Sequence, residues 1–172
     1  NIDDVEFLKN LSSILIKIPS HEIGNFDLIS STLKHFDKII ISTGAAKWNE
    51  IEKIINNLDI TKTILMHCVS SYPCPAENVN IKRMLELKKY STIGYSGHLH
   101  GINDALSAIC LGAEFVEKHF TIDPNLPGRD NKFAIIPKQL KELCEFRDDF
   151  IKMNIEHGLD LQECEMDTFN KY

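Results

Sequence analysis

The sequence predicts an α/β fold built from repeated strand-helix units, and three observations carry that prediction. Runs of β-branched apolar residues alternate with stretches whose apolar residues recur at helical spacing. A polar residue stands at the end of each apolar run, at Lys17, Ser42, His67, Ser96 and Glu117, in steps of 25, 25, 29 and 21 residues. Strands of this kind, separated by helices, pair in parallel with the helices outside. In an open doubly wound sheet the polar groups gather mainly at a switch point, whereas a barrel collects them at the C-terminal end of every strand. The pattern therefore favours a (β/α)8 TIM barrel. A closed barrel takes eight units and about 250 residues. With five units in 172 residues, the expectation is roughly the last five-eighths of one.

Asp3 and Asp4 lead into Val5, Phe7, Leu8 and Leu11, so residues 3–11 read as a helix with an acidic first turn. Residues 14–18 follow as a buried strand. Its one charge, Lys17, needs an anionic partner in such surroundings, and Ser20 and Glu22 come next in the loop. Asn25 caps a helix carrying Leu28, Ile29, Leu33 and Phe36, after which residues 38–44 form a second strand and its exit. Ile51, Ile54, Ile55 and Leu58 mark the next helix, and residues 63–68 the third strand. Pro73 and Pro75 hold off a helix in the loop that follows. Ile81, Met84, Leu85 and Leu87 then form one. A strand over 92–96, a helix over 103–111 and a strand over 114–120 complete the units. A long last helix starts near Pro137, a residue favoured in a first turn, and carries Leu140, Leu143, Phe146 and Phe150.

Composition bounds the function. The chain is 43% hydrophobic, enough for one domain with a core, and its net charge is −6. No Lys/Arg block exceeds two adjacent residues, which argues against nucleic acid as a partner. There is neither a long uninterrupted apolar run nor a signal-peptide pattern, so no membrane role is expected. Cys68, Cys74, Cys110, Cys144 and Cys164 form an odd set without paired metal spacing, the usage of reduced thiols in a cytoplasmic protein. The first residue is Asn1 rather than Met, and the expected organisation is a partial barrel over 1–155 with an acidic tail or linker over 156–172.

The chemistry concentrates in residues 94–130. His98 and His119 each stand where an apolar run stops, with one helix between them. Neutral imidazoles at neighbouring parallel strand ends can share a divalent ion and leave positions open for water or substrate. Spacing alone leaves a second reading open, ordinary polar residues at strand ends.

Six stretches occur in a fixed order: Lys17-Ile18-Pro19-Ser20-His21-Glu22, Ile41-Ser42-Thr43-Gly44, His67-Cys68 with Tyr72-Pro73, residues 94–98, residues 117–121, and Pro127-Gly128-Arg129-Asp130. On these the sequence resembles the sialic acid synthase family, which includes N-acetylneuraminate, legionaminate and pseudaminate synthases and spore-coat polysaccharide relatives. The resemblance covers nearly the whole chain. It implies a transferase condensing phosphoenolpyruvate with an N-acylated aldehyde sugar such as N-acetylmannosamine, giving a nine-carbon 2-keto acid and phosphate. It implies that His98 and His119 hold manganese or magnesium, which polarises the aldehyde oxygen. Lys17, Ser20, Ser42, Ser70 and Ser96 match phosphoenolpyruvate-binding positions, and Glu22, Tyr72 and Asp130 match positions at the amino sugar. A homodimer is implied for the full-length protein. The family's first three strands, with a glutamate, a lysine and a glutamine of the site, and its C-terminal antifreeze-like domain have no counterpart here, so the 172 residues alone are expected to be inactive.

Each residue also has a plainer role to weigh. Lys17 could pair with Glu22, and Ser42 and Ser96 could satisfy strand-end backbone. His67 reads as a hydrogen-bonding residue beside the pocket rather than a ligand. Glu117 reads either as an orienting carboxylate or as the neutraliser of Lys118, and Cys68 as a small buried residue rather than a nucleophile. Departures from the family stand out as well: Gly97 where Asp is usual, His21 where Gly is common, Arg129 where Pro is common, and His100 as an added imidazole. They point to a divergent acceptor sugar. The rival readings are another TIM-barrel aldolase or lyase with a Schiff base at Lys17, and a non-catalytic sugar-binding barrel.

Overall fold

The computed structural model describes residues 1–11 and 14–172. Five parallel strands lie in the order β1-β2-β3-β4-β5: β1 Leu15–Ile18, β2 Lys38–Ser42, β3 Thr63–Cys68, β4 Thr92–Gly97 and β5 Phe115–Lys118. Helix α1 (Ile2–Leu8) precedes them, α2 (Phe26–His35), α3 (Trp48–Asn57), α4 (Arg83–Leu87) and α5 (Asn103–Cys110) cross between successive strands, and α6 (Pro137–Met153) and α7 (Met166–Phe169) follow. Asn25 caps α2 as the sequence indicates, its Oδ1 accepting from Leu28 N at 3.1 Å, whereas α1 is capped by Asn1, whose Oδ1 accepts from Asp4 N at 3.0 Å, with Asp3 and Asp4 already in its first turn.

The two faces of each strand have different work. Toward the helices point Ile39, Ile41, Leu65, Ile93 and Tyr95, which pack with Ile29, Ile51, Ile54, Met84 and Leu87 in one core. On the concave face Ile40, Ile64 and Met66 form a second, smaller core with Phe115 against it. Above it, at the C-terminal strand ends, the same face turns polar with Lys17, Ser42, Ser96 and Glu117. Strands apolar on both faces are what a covered parallel sheet requires.

The sheet is curled into a half-barrel. Four strand-to-strand steps would set the outer strands of a flat sheet roughly 19 Å apart, beyond the reach of two side chains. Yet Lys17 Nζ of β1 lies 2.7 Å from the Glu117 carboxylate of β5, the opposite edge.

Strand β1, expected buried over 14–18, begins at Leu15 and buries only Ile18, because it is an edge of the sheet, and element boundaries differ from the expected ones at three further places. Helix α1 stops at Leu8, since of its residues only Val5 is buried and Leu11 beyond it is 69% exposed. Asn80 takes a left-handed backbone (φ 48°) after a 3-10 turn at Ala76–Asn78, so α4 begins at Arg83 rather than near Ile81. Strand β5 ends at Lys118, and Phe120 instead bridges Ile135. Residues 154–172 are exposed throughout, with a 3-10 turn at Glu163–Glu165 before α7. Among the described residues no helix is long and apolar enough to cross a membrane, and all five cysteines are free thiols.

Ile41 is fully buried between sheet and helices, so Ile41→Ala should cost about 2–5 kcal/mol in urea unfolding. The same truncation at Ile122, 75% exposed, should change stability by less than about 0.5 kcal/mol.

Candidate active site

The C-terminal strand ends open into a cleft of about 690 Å³, within the usual size for a small-molecule site. Of the residues singled out in the sequence, Lys17, Ser20, Ser42, Tyr72, Ser96, His98, His119 and Asp130 line it. They come from all five strands or the loops that leave them.

Glu117 organises one side. Its carboxylate takes Lys17 Nζ at 2.7 Å and Ser96 Oγ at 2.8 Å. Burial pushes the Glu117 carboxyl up, but the hydrogen bonds from Lys17 and Ser96 and the lysine charge outweigh it and hold the group below its ordinary value. The partner of Lys17 is therefore Glu117 and not Glu22. Glu22 receives Asn25 Nδ2 at 2.8 Å and does not line the cleft. Nor does Glu117 neutralise Lys118, whose ammonium is paired with Asp104 on the other face of the strands.

Hydroxyls line the floor. Among the described residues Ser42 Oγ, itself buried, has no hydrogen-bond partner, an unmet donor in the cleft. The strand-end serine thus does not satisfy strand-end backbone. Gly44 lets the β2 exit pass close by: a Cβ there would lie 2.4 Å from Ser70 Oγ, 2.6 Å from Cys68 Sγ and 3.4 Å from Ser20 Oγ. Ser70 itself is exposed and is not part of the lining. Burial pushes the Cys68 thiol up, which leaves it a poor nucleophile.

His98 and His119 face each other across the opposite side, ring centroids 5.5 Å apart. His98 Nδ1 is 2.8 Å from the Val69 carbonyl, so Nδ1 carries the proton and Nε2 keeps its lone pair. Burial holds His98 below the usual histidine range, favouring the neutral ring that a ligand must be. Two imidazoles bound to one ion at about 2.1 Å have centroids about 5 Å apart, so the pair fits a shared divalent cation. Among the described residues no group of three or more His, Cys, Asp or Glu is ready to hold a metal; the pair would leave most coordination positions to other donors. Asp130 Oδ2 lies 3.6 Å from His119 Nδ1. Tyr72 covers His98 at 4.3 Å between centroids, and Phe133 packs on His119 at 5.0 Å.

Two further readings change, and two residues are new. His67 belongs to the helix-facing core, fully buried, with Nε2 2.9 Å from the Val79 carbonyl; it is not beside the pocket because it points to the other face of β3 from Cys68. His100 is exposed and does not line the cleft. Phe133 and Asn131 contribute to the site without any sequence signal beyond following Asp130.

Comparison with known proteins agrees with this geometry. The model of the NeuB family matches residues 1–154. N,N'-diacetyllegionaminic acid synthase of Campylobacter jejuni is 41% identical over 154 residues, which are 84% of this chain and 45% of that protein. The crystal structure of N-acetylneuraminic acid synthetase from Leptospira borgpetersenii superposes with a TM-score of 0.85 at 31% identity, over 99% of this chain and 61% of that one. Spore coat polysaccharide biosynthesis protein SpsE of Bacillus subtilis gives 0.80 at 30% identity, over 93% and 48%. The chain spans about half the length of the curated relatives it matches.

Because the Glu117 carboxyl is held below its ordinary value, its pairing contributes stability above the unfolded-state value and loses it as pH falls through the folded-state value. The melting temperature of Glu117→Gln should therefore fall less steeply than wild type between about pH 6 and pH 3.5, measured by circular dichroism.

Proposed function

The chain belongs to the NeuB family, and from that premise we propose that its cleft is the larger part of an active site condensing phosphoenolpyruvate with an N-acylated aldehyde sugar. The product is a sialic-acid-like 2-keto acid, with phosphate released, for cell-surface carbohydrate. The observation that carries this reading is the division of the cleft: hydroxyl and ammonium donors on one side, including the unpartnered Ser42 Oγ, and two facing imidazoles on the other.

Anionic oxygens of phosphoenolpyruvate meet donors that need no rearrangement of backbone. Ser20 and Ser42 offer hydroxyls, Lys17 offers the ammonium protons that Glu117 does not take, and Ser96, whose one proton goes to Glu117, donates to substrate by releasing it. Glu117 already holds Lys17 and Ser96 in place, so little ordering is left to the moment of binding. His98 and His119 would hold a divalent manganese or magnesium ion, which when bound polarises the acceptor's aldehyde oxygen toward attack by C3 of phosphoenolpyruvate. Asp130, close to His119, accepts hydrogen bonds from sugar hydroxyls, and the exposed face of Tyr72 offers a flat surface for the ring. Glu22 and Ser70 lie outside the lining of the cleft, and their proposed places at the amino sugar and at phosphoenolpyruvate rest on the family resemblance alone.

A Schiff base at Lys17 fits less well. It needs a free amine, and this lysine is engaged by Glu117 from the far edge of the sheet. Homodimerisation and a cytoplasmic setting remain part of the proposal through family membership.

In the full-length protein stripped with chelator, phosphate release from phosphoenolpyruvate should require both manganese and one sugar of an N-acylated amino-sugar panel. His98→Ala and His119→Ala should each lose most of it, on the order of a hundredfold or more. Release that is indifferent to metal and sugar, or a folded protein releasing none with any sugar, would sink the reading.

A further inference from the structure

The helix-facing side of β4 and β5 carries a buried charged cluster that the cleft chemistry does not use. Side chains of Lys118 and Asp104 are 3% and 0% exposed. Lys118 Nζ lies 3.1 Å from each Asp104 carboxylate oxygen. Tyr95 Oη donates to Oδ2 at 3.0 Å and Ala105 N to Oδ1 at 2.9 Å. The ammonium also donates to the Leu99 carbonyl at 2.8 Å, which uses the last of its three protons.

Connectivity gives the cluster its meaning. Leu99 directly follows His98, and His119 directly follows Lys118. One ammonium therefore ties the backbone just after one pocket histidine to the backbone just before the other. Gly97 completes the arrangement, because a Cβ there would lie 2.3 Å from Asp104 Oδ2, 2.8 Å from Tyr95 Cε1 and 3.0 Å from Lys118 Cδ. A side chain at position 97 would enter the space that the Asp104 carboxylate fills.

We propose that Asp104 and Lys118 are positioning residues that set the spacing of His98 and His119 for a shared divalent cation, and that Gly97 and Asp104 are a coupled pair. The carboxylate serving Lys118 arrives from α5 because position 97 leaves room for it. The inference rests on the metal reading of the two histidines. Removing the carboxylate leaves a buried ammonium without its counter-charge. Lys118 must then turn toward water, and its hold on Leu99 goes with it. Partners that orient metal ligands from behind typically matter ten- to a hundredfold in metal affinity. An aspartate placed at 97 while position 104 is emptied would return a carboxylate to the same ammonium from β4.

The test uses the full-length protein with Asp104→Ala, Asp104→Asn, Gly97→Asp and the double variant Gly97→Asp/Asp104→Ala, beside His98→Ala. Manganese affinity of the chelator-stripped proteins is measured by electron paramagnetic resonance of free ion, and hydrogen exchange of residues 97–101 without metal. Asp104→Ala and Gly97→Asp should each bind manganese about ten- to a hundredfold more weakly and exchange faster, with Asp104→Asn between them and wild type. The double variant should return to within a few fold of wild type in both. Asp104→Ala behaving as wild type, or a double variant no better than the single ones, overturns the coupling. If Asp104→Ala does not fold, a folded double variant that binds manganese supports the coupling and an unfolded one overturns it. Manganese binding that His98→Ala leaves unchanged would instead overturn the metal reading, and the metal-free exchange rates would still decide whether 97 and 104 are coupled.

Discussion

The ion pair between Lys17 and Glu117 joins the two edges of a five-stranded sheet, and the cleft depends on the curvature that makes it possible. The pair does not create that curvature. Its side chains are 34% and 42% exposed, and pairs of that kind contribute about 0–1 kcal/mol. Parallel strands twist and coil in one sense, and apolar packing on both faces holds them so. The small interior core of Ile40, Ile64 and Met66 packs on the concave face that carries the ion pair. What the pair supplies is register at the mouth. It fixes Lys17, Glu117 and, through Glu117, Ser96 relative to one another.

The period of two along each strand then sorts chemistry from packing. On β3, Cys68 reaches the cleft while His67, one residue earlier, is sealed among the helices. On β4, Ser96 and His98 face the cleft while Gly97 between them faces the buried Asp104–Lys118 pair. Neighbouring polar residues on one strand therefore have opposite fates. A polar residue at a strand end marks the right end of the sheet, yet the face it serves is set by its place in the two-residue period, and that face decides whether its partner comes from a helix or from another strand.

That distinction explains how far the sequence could be read. Strand and helix alternation was legible because the middle strands are built on apolar runs, Ile39 to Ile41 in β2 and Ile64 to Met66 in β3. The His98–His119 pairing was legible because two consecutive units carry the residues to adjacent strand ends. The partner of Lys17 was not, because Glu117 is 100 residues away and only a curled sheet brings them together; the nearer carboxylate, Glu22, turned to Asn25 in its own loop. Lys118 likewise has a carboxylate next to it in sequence, but adjacent residues on a strand point apart. Asp104 carried a weak signal as an acidic residue in the first turn of α5, a place where acids are common for helix-dipole reasons alone.

On the proposed reading, two lysine–carboxylate pairs one strand position apart serve opposite purposes. Lys118–Asp104 is sealed and fully hydrogen-bonded, so exchange of either partner for a ligand would strand a charge in the core. Such a pair is suited to hold backbone still. Lys17–Glu117 is half open to the cleft, where solvent screens the attraction and an arriving anion can compete for the ammonium at modest cost. In the proposed reaction Glu117 keeps Lys17 and Ser96 aimed until substrate oxygens take a share of the same donors, while Ser42 meets the substrate with a hydroxyl that no protein group has claimed. A rigid pair behind the histidines and a yielding pair in front of the serines are what a site needs if its metal ligands must not move and its anion donors must change partners at every turnover.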